Sequence, residues 1–271
     1  MTKNLKDITD FSKYDCLPSI FTSWFWRFYD NLFHLVLINF CWFSTFAGTI
    51  WVFWRLGLLV DANGLSIIGF CSCFIMGIVV SVGWAFIVFK IFNNEEWTAT
   101  DYWIGIKKYG GKAIAVSVIS GIVIFLVYFN LHFYLRNQPR FIDFVMSGLV
   151  FWIGLIGVLT ALYQWPLLFF QDSSLTSIFY RSTVLVFSNG LQALFLLVFF
   201  LFCAGFFSIL VAPWIFVGMV FFFSLQCVAL EKALLRYKIT FRGKPIEPFL
   251  ETLELEHKRS WKDFLKPWEN R

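Results

Sequence analysis

The sequence predicts an all-α polytopic membrane helix bundle: six transmembrane helices, with surface helices on the cytoplasmic side. Three observations lead there. First, six apolar stretches can be drawn, at about 32–54, 65–92, 113–135, 144–170, 191–211 and 214–231. Each is roughly 20 residues or more, the helical length that crosses a bilayer core. Second, 59% of residues are hydrophobic and only 14% are charged, against about 25% charged in soluble domains. Third, 19 of the 22 Lys and Arg fall on one side when the spans are numbered alternately. The other side holds only Arg55, Arg136 and Arg140. Lys and Arg excess in short loops marks the cytoplasmic face. The reading is a multi-pass protein of the inner (plasma) membrane, with both termini cytoplasmic.

Three regions follow: a cytoplasmic N-terminal segment (1–31), the transmembrane domain (32–236) and a cytoplasmic tail (237–271). Within the first, Phe21, Trp24, Phe25 and Phe28 recur at helical spacing beside Arg27 and Asp30. That pattern predicts a short interfacial helix over 19–30. The early residues mix acids with bases, and the first apolar run is too long for a cleavable signal, so it reads as a retained span. Asp61 to Gly64 and Arg136 to Arg140 read as outer turns.

Residues 190–231 form one apolar run of 42. As a single helix it would be about 63 Å long, twice the bilayer core, so it must fold back. Ala212-Pro213-Trp214 is the predicted hinge, because Pro is favoured at the start of a new helix.

The two long inner loops look alike. One has Asn93 to Glu96, an amphipathic segment 97–108, then Gly110 and Gly111. The other has Gln171 to Ser174, an amphipathic segment 175–187, then Asn189 and Gly190. Each reads as a capped short helix stopped by glycine, consistent with an internal repeat of span, surface helix, span. In the tail, 249–259 reads helical and Ser260 to Asp263 has capping-box form. Trp261, Phe264, Leu265 and Trp268 then line one face, suited to the inner membrane surface or to a partner.

The net charge of +5 follows topology and does not indicate nucleic acid. The six cysteines and three histidines (His34, His132, His257) show no metal-ligand spacing. No GxSxG, HExxH or P-loop is present, so neither catalysis nor a cofactor is expected. Ionisable residues lie at span ends, which argues against a proton relay or voltage sensor.

Deep amides do occur. Asn39, Gln164 and Gln226 each sit roughly 7–10 Å below the inner surface. An amide facing lipid is costly, so these should point into the bundle. Trp42 shares a helix face with Asn39, and Pro166 beside Gln164 removes a backbone donor from span 4. Asn39, Trp42, Gln164, Pro166 and Gln226 therefore form a candidate polar pocket open to the cytoplasm. The other reading is that the amides only bind helix to helix.

Several motifs occur together in order: Asn39-Phe-Cys-Trp42, the acidic turn Glu95-Glu96, and Asp101-Tyr-Trp103 through Lys107-Lys108. Tyr163-Gln-Trp-Pro166 and the segment from Asp172 to Asn189 with Arg181 complete the series. Over roughly residues 24–210 the chain resembles the YesL-like family of bacterial membrane proteins, defined by a domain of unknown function. It departs at Ser81-Val-Gly83, where a Pro-Ala pair is typical, and in its long tail. The resemblance implies a role accessory to solute import, with carbohydrate as the suggested class, and it defines no catalytic residues. Expected partners are membrane lipid, transporter subunits or a second copy of the chain. The alternative is a membrane scaffold or regulatory protein that binds a cytoplasmic partner through its inner loops and tail.

Overall fold

The computed structural model describes residues 17–59, 63–135, 141–171 and 174–236. The expected turn Arg136–Arg140, part of the turn at Asp61, and the tail with its helix and capping box lie outside these residues. Among the described residues there is no strand. The elements are α1 (Leu17–Asp30), α2 (Leu32–Leu59), α3 (Asn63–Phe92), α4 (Ala99–Leu135) and α5 (Phe141–Gln171). Then come α6 (Leu175–Ser188), α7 (Gly190–Leu210), a π turn (Trp214–Gly218) and α8 (Met219–Arg236). Six of these are long and apolar enough to cross a membrane: α2, α3, α4, α5, α7 and the π turn with α8. The chain is an all-α polytopic bundle and an integral membrane protein.

The spans pair as antiparallel hairpins. In α2 and α3, the Trp42 indole meets Ser81 and the Phe46 ring lies against Gly77. In α4 and α5, Ser117 meets Trp165, Ser120 meets Gln164 and Val127 meets Gly154. Gly154 is glycine for space: a Cβ there would stand 2.6 Å from the Val127 Cγ1. In α7 and α8, Gln192 reaches Ala229, and Phe200 packs edge-on against Phe222.

The fold-back predicted at Pro213 is present. α7 ends at Leu210, and Val211 takes φ 58°, ψ −48°. A β-branched residue rarely adopts positive φ. The reversal is held by the Val211 N–H on the Phe207 carbonyl and the Trp214 N–H on the Val211 carbonyl.

The first inner loop differs from its expected form. Segment 97–108 is not a separate surface helix: α4 is one helix of 37 residues, about 55 Å long. Gly110 and Gly111 do not end it, because neither takes the left-handed conformation that glycine supplies at a helix stop. Each costs about 1 kcal/mol in a helix interior, and packing offsets this. Tyr109 beside them is fully buried, and the start of α4 lies across α3. Gly83 of α3 touches the Tyr102 ring, where a Cβ would come within 2.5 Å. The Asp101 carboxylate accepts from the Thr98 N–H at 2.7 Å, the Thr98 hydroxyl and Lys90 at 2.9 Å, which fixes the helix start. The second inner loop does form a separate helix, α6, capped by Ser174 and stopped at Asn189. The two loops are therefore not repeats of one unit.

α1 forms as expected, but its apolar face meets protein. Ile20 and Trp26 are buried. The Phe21 ring packs edge-on against Phe199 of α7 at 5.0 Å, and Trp24 against Phe221 of α8 at 4.9 Å.

The core sits at the end of the bundle that carries α1 and α6, called here the basic face. Phe86, Phe89, Tyr109, Phe169, Phe170 and Phe223 interlock there, ring centroids 4.8–6.4 Å apart between neighbours. Toward the far end the described residues are not buried in α2 beyond Asn39, in α3 before Gly77 or in α4 beyond Val116. Residues 121–126 of α4 are all exposed. Six successive residues at 100° each go right round a helix, so this turn is mostly wrapped by surroundings rather than by protein. In water such a surface would drive aggregation; in a bilayer it is the lipid-facing surface.

Candidate functional site

Polar side chains in this bundle first serve to join helices. Three indole N–H groups each donate to a serine hydroxyl on another helix: Trp24 to Ser224 (2.8 Å), Trp42 to Ser81 (2.9 Å) and Trp165 to Ser117 (3.2 Å). These links tie α1 to α8, α2 to α3 and α5 to α4. The Gln164 carboxamide belongs to the same set, since its Oε1 accepts from the Ser120 hydroxyl at 2.7 Å. Pro166 is buried in α5, which runs through it without a break.

Asn39 is fully buried and has a different task. Its Nδ2 donates to the carbonyls of Trp214 (2.9 Å) and Ile215 (2.7 Å), and its Oδ1 accepts from the Val220 N–H at 3.2 Å. A π turn shifts the backbone hydrogen-bond register at its junction with an α-helix. Asn39 satisfies groups on both sides of that junction and so holds the α7–α8 hairpin against α2.

A cavity of about 310 Å³ lies between α2, α3, α5 and α8, lined by Trp42, Ser81, Trp165, Phe222, Phe223 and Gln226 among others. Ser81 is 11 residues from the end of α3, about 16 Å along the helix and half the depth of a bilayer core. Among the described residues, no charged side chain lines the cavity. Three polar lining groups are already engaged: the Trp42 indole donates to Ser81, Ser81 donates to the Gly77 carbonyl, and Trp165 donates to Ser117. Gln226 differs, because among the described residues its carboxamide makes no hydrogen bond.

The aromatic cluster sits on the basic side of this cavity. Along α3, Ser81 precedes Phe86 and Phe89; along α5, Trp165 precedes Phe169 and Phe170. Phe223 lines the cavity and meets Phe169 edge-on at 5.7 Å. The sequence suggested a pocket open to the basic face. In the structure the cavity adjoins the aromatic cluster, and along α8 Gln226 lies about one turn nearer the basic end than Phe223. Of the five predicted pocket residues, Trp42 and Gln226 line it, while Asn39, Gln164 and Pro166 do not. Ser81, Trp165 and Phe222 complete it. Their depths were readable from the sequence, but the faces they present depend on how the hairpins pack.

Most of the described charge lies toward the basic end, with Arg55 of α2 and Asp143 of α5 at the far end. Arg27 of α1 pairs bidentately with Glu231 of α8, at 2.5 and 3.0 Å, and also donates to the Phe92 carbonyl at 3.2 Å. Both side chains are buried. This pair pins α1 over the ends of α3 and α8. Among the described residues, no three His, Cys, Asp or Glu side chains come together as a metal site. No family model, curated protein or solved structure matches the chain.

Proposed function

We propose that this membrane protein supports passage of a small uncharged solute, which occupies the cavity beside Gln226. The basic face is then cytoplasmic and the membrane is the plasma membrane. The observation that carries the reading is the unpaired Gln226 carboxamide in an uncharged cavity at mid-depth. A partly buried polar group held at membrane depth without a protein partner costs free energy. A solute or water with both a donor and an acceptor removes that cost. The aromatic walls suit the apolar faces of such a solute, and carbohydrate is the class the YesL-like resemblance suggests. The ordered motifs from Asn39 to Asn189 support membership of that family.

The test is uptake of radiolabelled neutral solutes (glycerol, hexoses, small amides) by proteoliposomes containing the full chain. At least one solute should enter faster than in protein-free vesicles, and Gln226→Leu should abolish the difference without unfolding the protein. Equal uptake by wild type and Gln226→Leu, or none by wild type, would remove the proposal.

A second reading, a scaffold or regulatory protein, draws on exposed apolar side chains near the basic face. Trp103 and Ile104 of α4 are 62% and 49% exposed. Co-purification separates the readings: a transport ATPase or solute-binding protein supports the first, and self-association alone the second.

A further inference from the structure

The ends of α5 and α8 and one side of α6 enclose a groove of about 480 Å³ at the basic face. Its inner wall is apolar, formed by the buried Leu167, Leu185 and Leu234. Its rim is polar. Gln171 ends α5, and its Oε1 accepts a hydrogen bond from Arg181 Nη1. That contact holds the exposed guanidinium at the groove mouth. One cation above an apolar slot is the pattern expected for an amphiphile with a single negative charge.

The position of α6 says which amphiphile. Its Ile178, Ser182 and Leu185 are buried against the bundle. A second stripe at i, i+4 and i+7 — Tyr180, Val184 and Phe187 — is exposed, and Tyr180 and Val184 line the groove. A helix apolar on both these sides, lying where spans end, sits at the boundary of headgroups and acyl chains. The groove mouth therefore faces lipid. Lys107, Lys108 and Lys112, none of them buried, lie toward the same end of the bundle, and such a face favours an anionic leaflet.

We propose that this groove holds one anionic phospholipid, its phosphate on the Arg181 guanidinium and the upper part of an acyl chain along Leu167, Leu185 and Leu234. The site is separate from the mid-membrane cavity and does not depend on what that cavity binds. It places a lipid between α6 and the ends of α5 and α8, and so joins the surface helix to the bundle.

The test uses purified full-length protein in micelles doped with phosphatidylglycerol or phosphatidylcholine, with native mass spectrometry reading the lipid-bound fraction. Wild type should retain phosphatidylglycerol about five- to ten-fold better than phosphatidylcholine, the preference expected from one interfacial cation. Arg181→Gln should bring the two lipids to equal retention. Val184→Trp keeps the charge but fills the groove, and should lose both. The proposal is overturned by equal retention in wild type, by an Arg181→Gln protein that keeps the preference, or by a Val184→Trp protein that still holds lipid. Inorganic phosphate at the same concentration should not displace phosphatidylglycerol; full displacement would assign Arg181 to a free anion and overturn the lipid.

Discussion

Replacing Asn39 by Leu removes three hydrogen bonds while nearly preserving side-chain volume. The bonds run to the Trp214 and Ile215 carbonyls and from the Val220 N–H. Interhelical hydrogen bonds inside membranes average about 0.6 kcal/mol and reach about 1.7. Three average bonds therefore set a floor of roughly 2 kcal/mol. The groups left behind belong to the backbone at a π–α junction, and a buried unsatisfied group costs about 1–3 kcal/mol. Part of that cost returns if the π turn relaxes to regular α-helix. The expected destabilisation is about 2–4 kcal/mol. Asn39→Asp keeps the acceptor for Val220 but loses both donors, and should be no more stable than Asn39→Leu. The assay is equilibrium unfolding in mixed micelles, following Trp fluorescence, with hydrogen exchange at residues 211–220 as a local readout. A Asn39→Leu protein within about 0.5 kcal/mol of wild type, with unchanged exchange there, would refute the assignment of Asn39 as the lock of this hairpin.

Three other outcomes are expected. Gly154→Leu drives a side chain into Val127, 2.6 Å from the position of its Cβ, and should cost about 1–3 kcal/mol in the same unfolding assay. Gly157→Ala, whose Cβ stands 3.4 Å from Val123, should cost less than half as much. Arg27→Ala leaves Glu231 buried with its paired cation gone and should cost about 3–5 kcal/mol; the Arg27→Ala, Glu231→Ala double variant should lose clearly less than the two single losses together, and additivity would show that the pair is not coupled. Single-cysteine labelling in a cysteine-free background checks orientation: Arg140→Cys should react with an impermeant maleimide in intact cells, and Lys258→Cys only after permeabilisation. The reverse pattern would invert the topology.

Much of the fold was legible because its signals are local. Apolar runs of bilayer length mark spans whatever they pack against. The α7–α8 hairpin was legible for the same reason, since a largely apolar run of 42 residues has no straight solution. Gly110 and Gly111 misled because a glycine ends a helix only where the chain needs a left-handed residue, and packing of α4 across α3 removes that need. The candidate site was partly legible. Hydrocarbon penalises every free amide alike, so depth flagged Asn39, Gln164 and Gln226 together. Depth does not say which amide finds a partner.

The sequence by itself determined that this chain is a membrane bundle, how many spans it has and on which side its charge collects. Those properties follow from transfer free energies that each residue carries into any neighbourhood. Only the tertiary structure decided that Asn39 secures a π turn and Gln164 a helix pair, while Gln226 is left facing a cavity beside a cluster of aromatic rings. Hydrogen-bond satisfaction is a property of pairs, and the partners stand 175 residues apart for Asn39 and Trp214 and 44 apart for Ser120 and Gln164. No single segment of the chain carries that information.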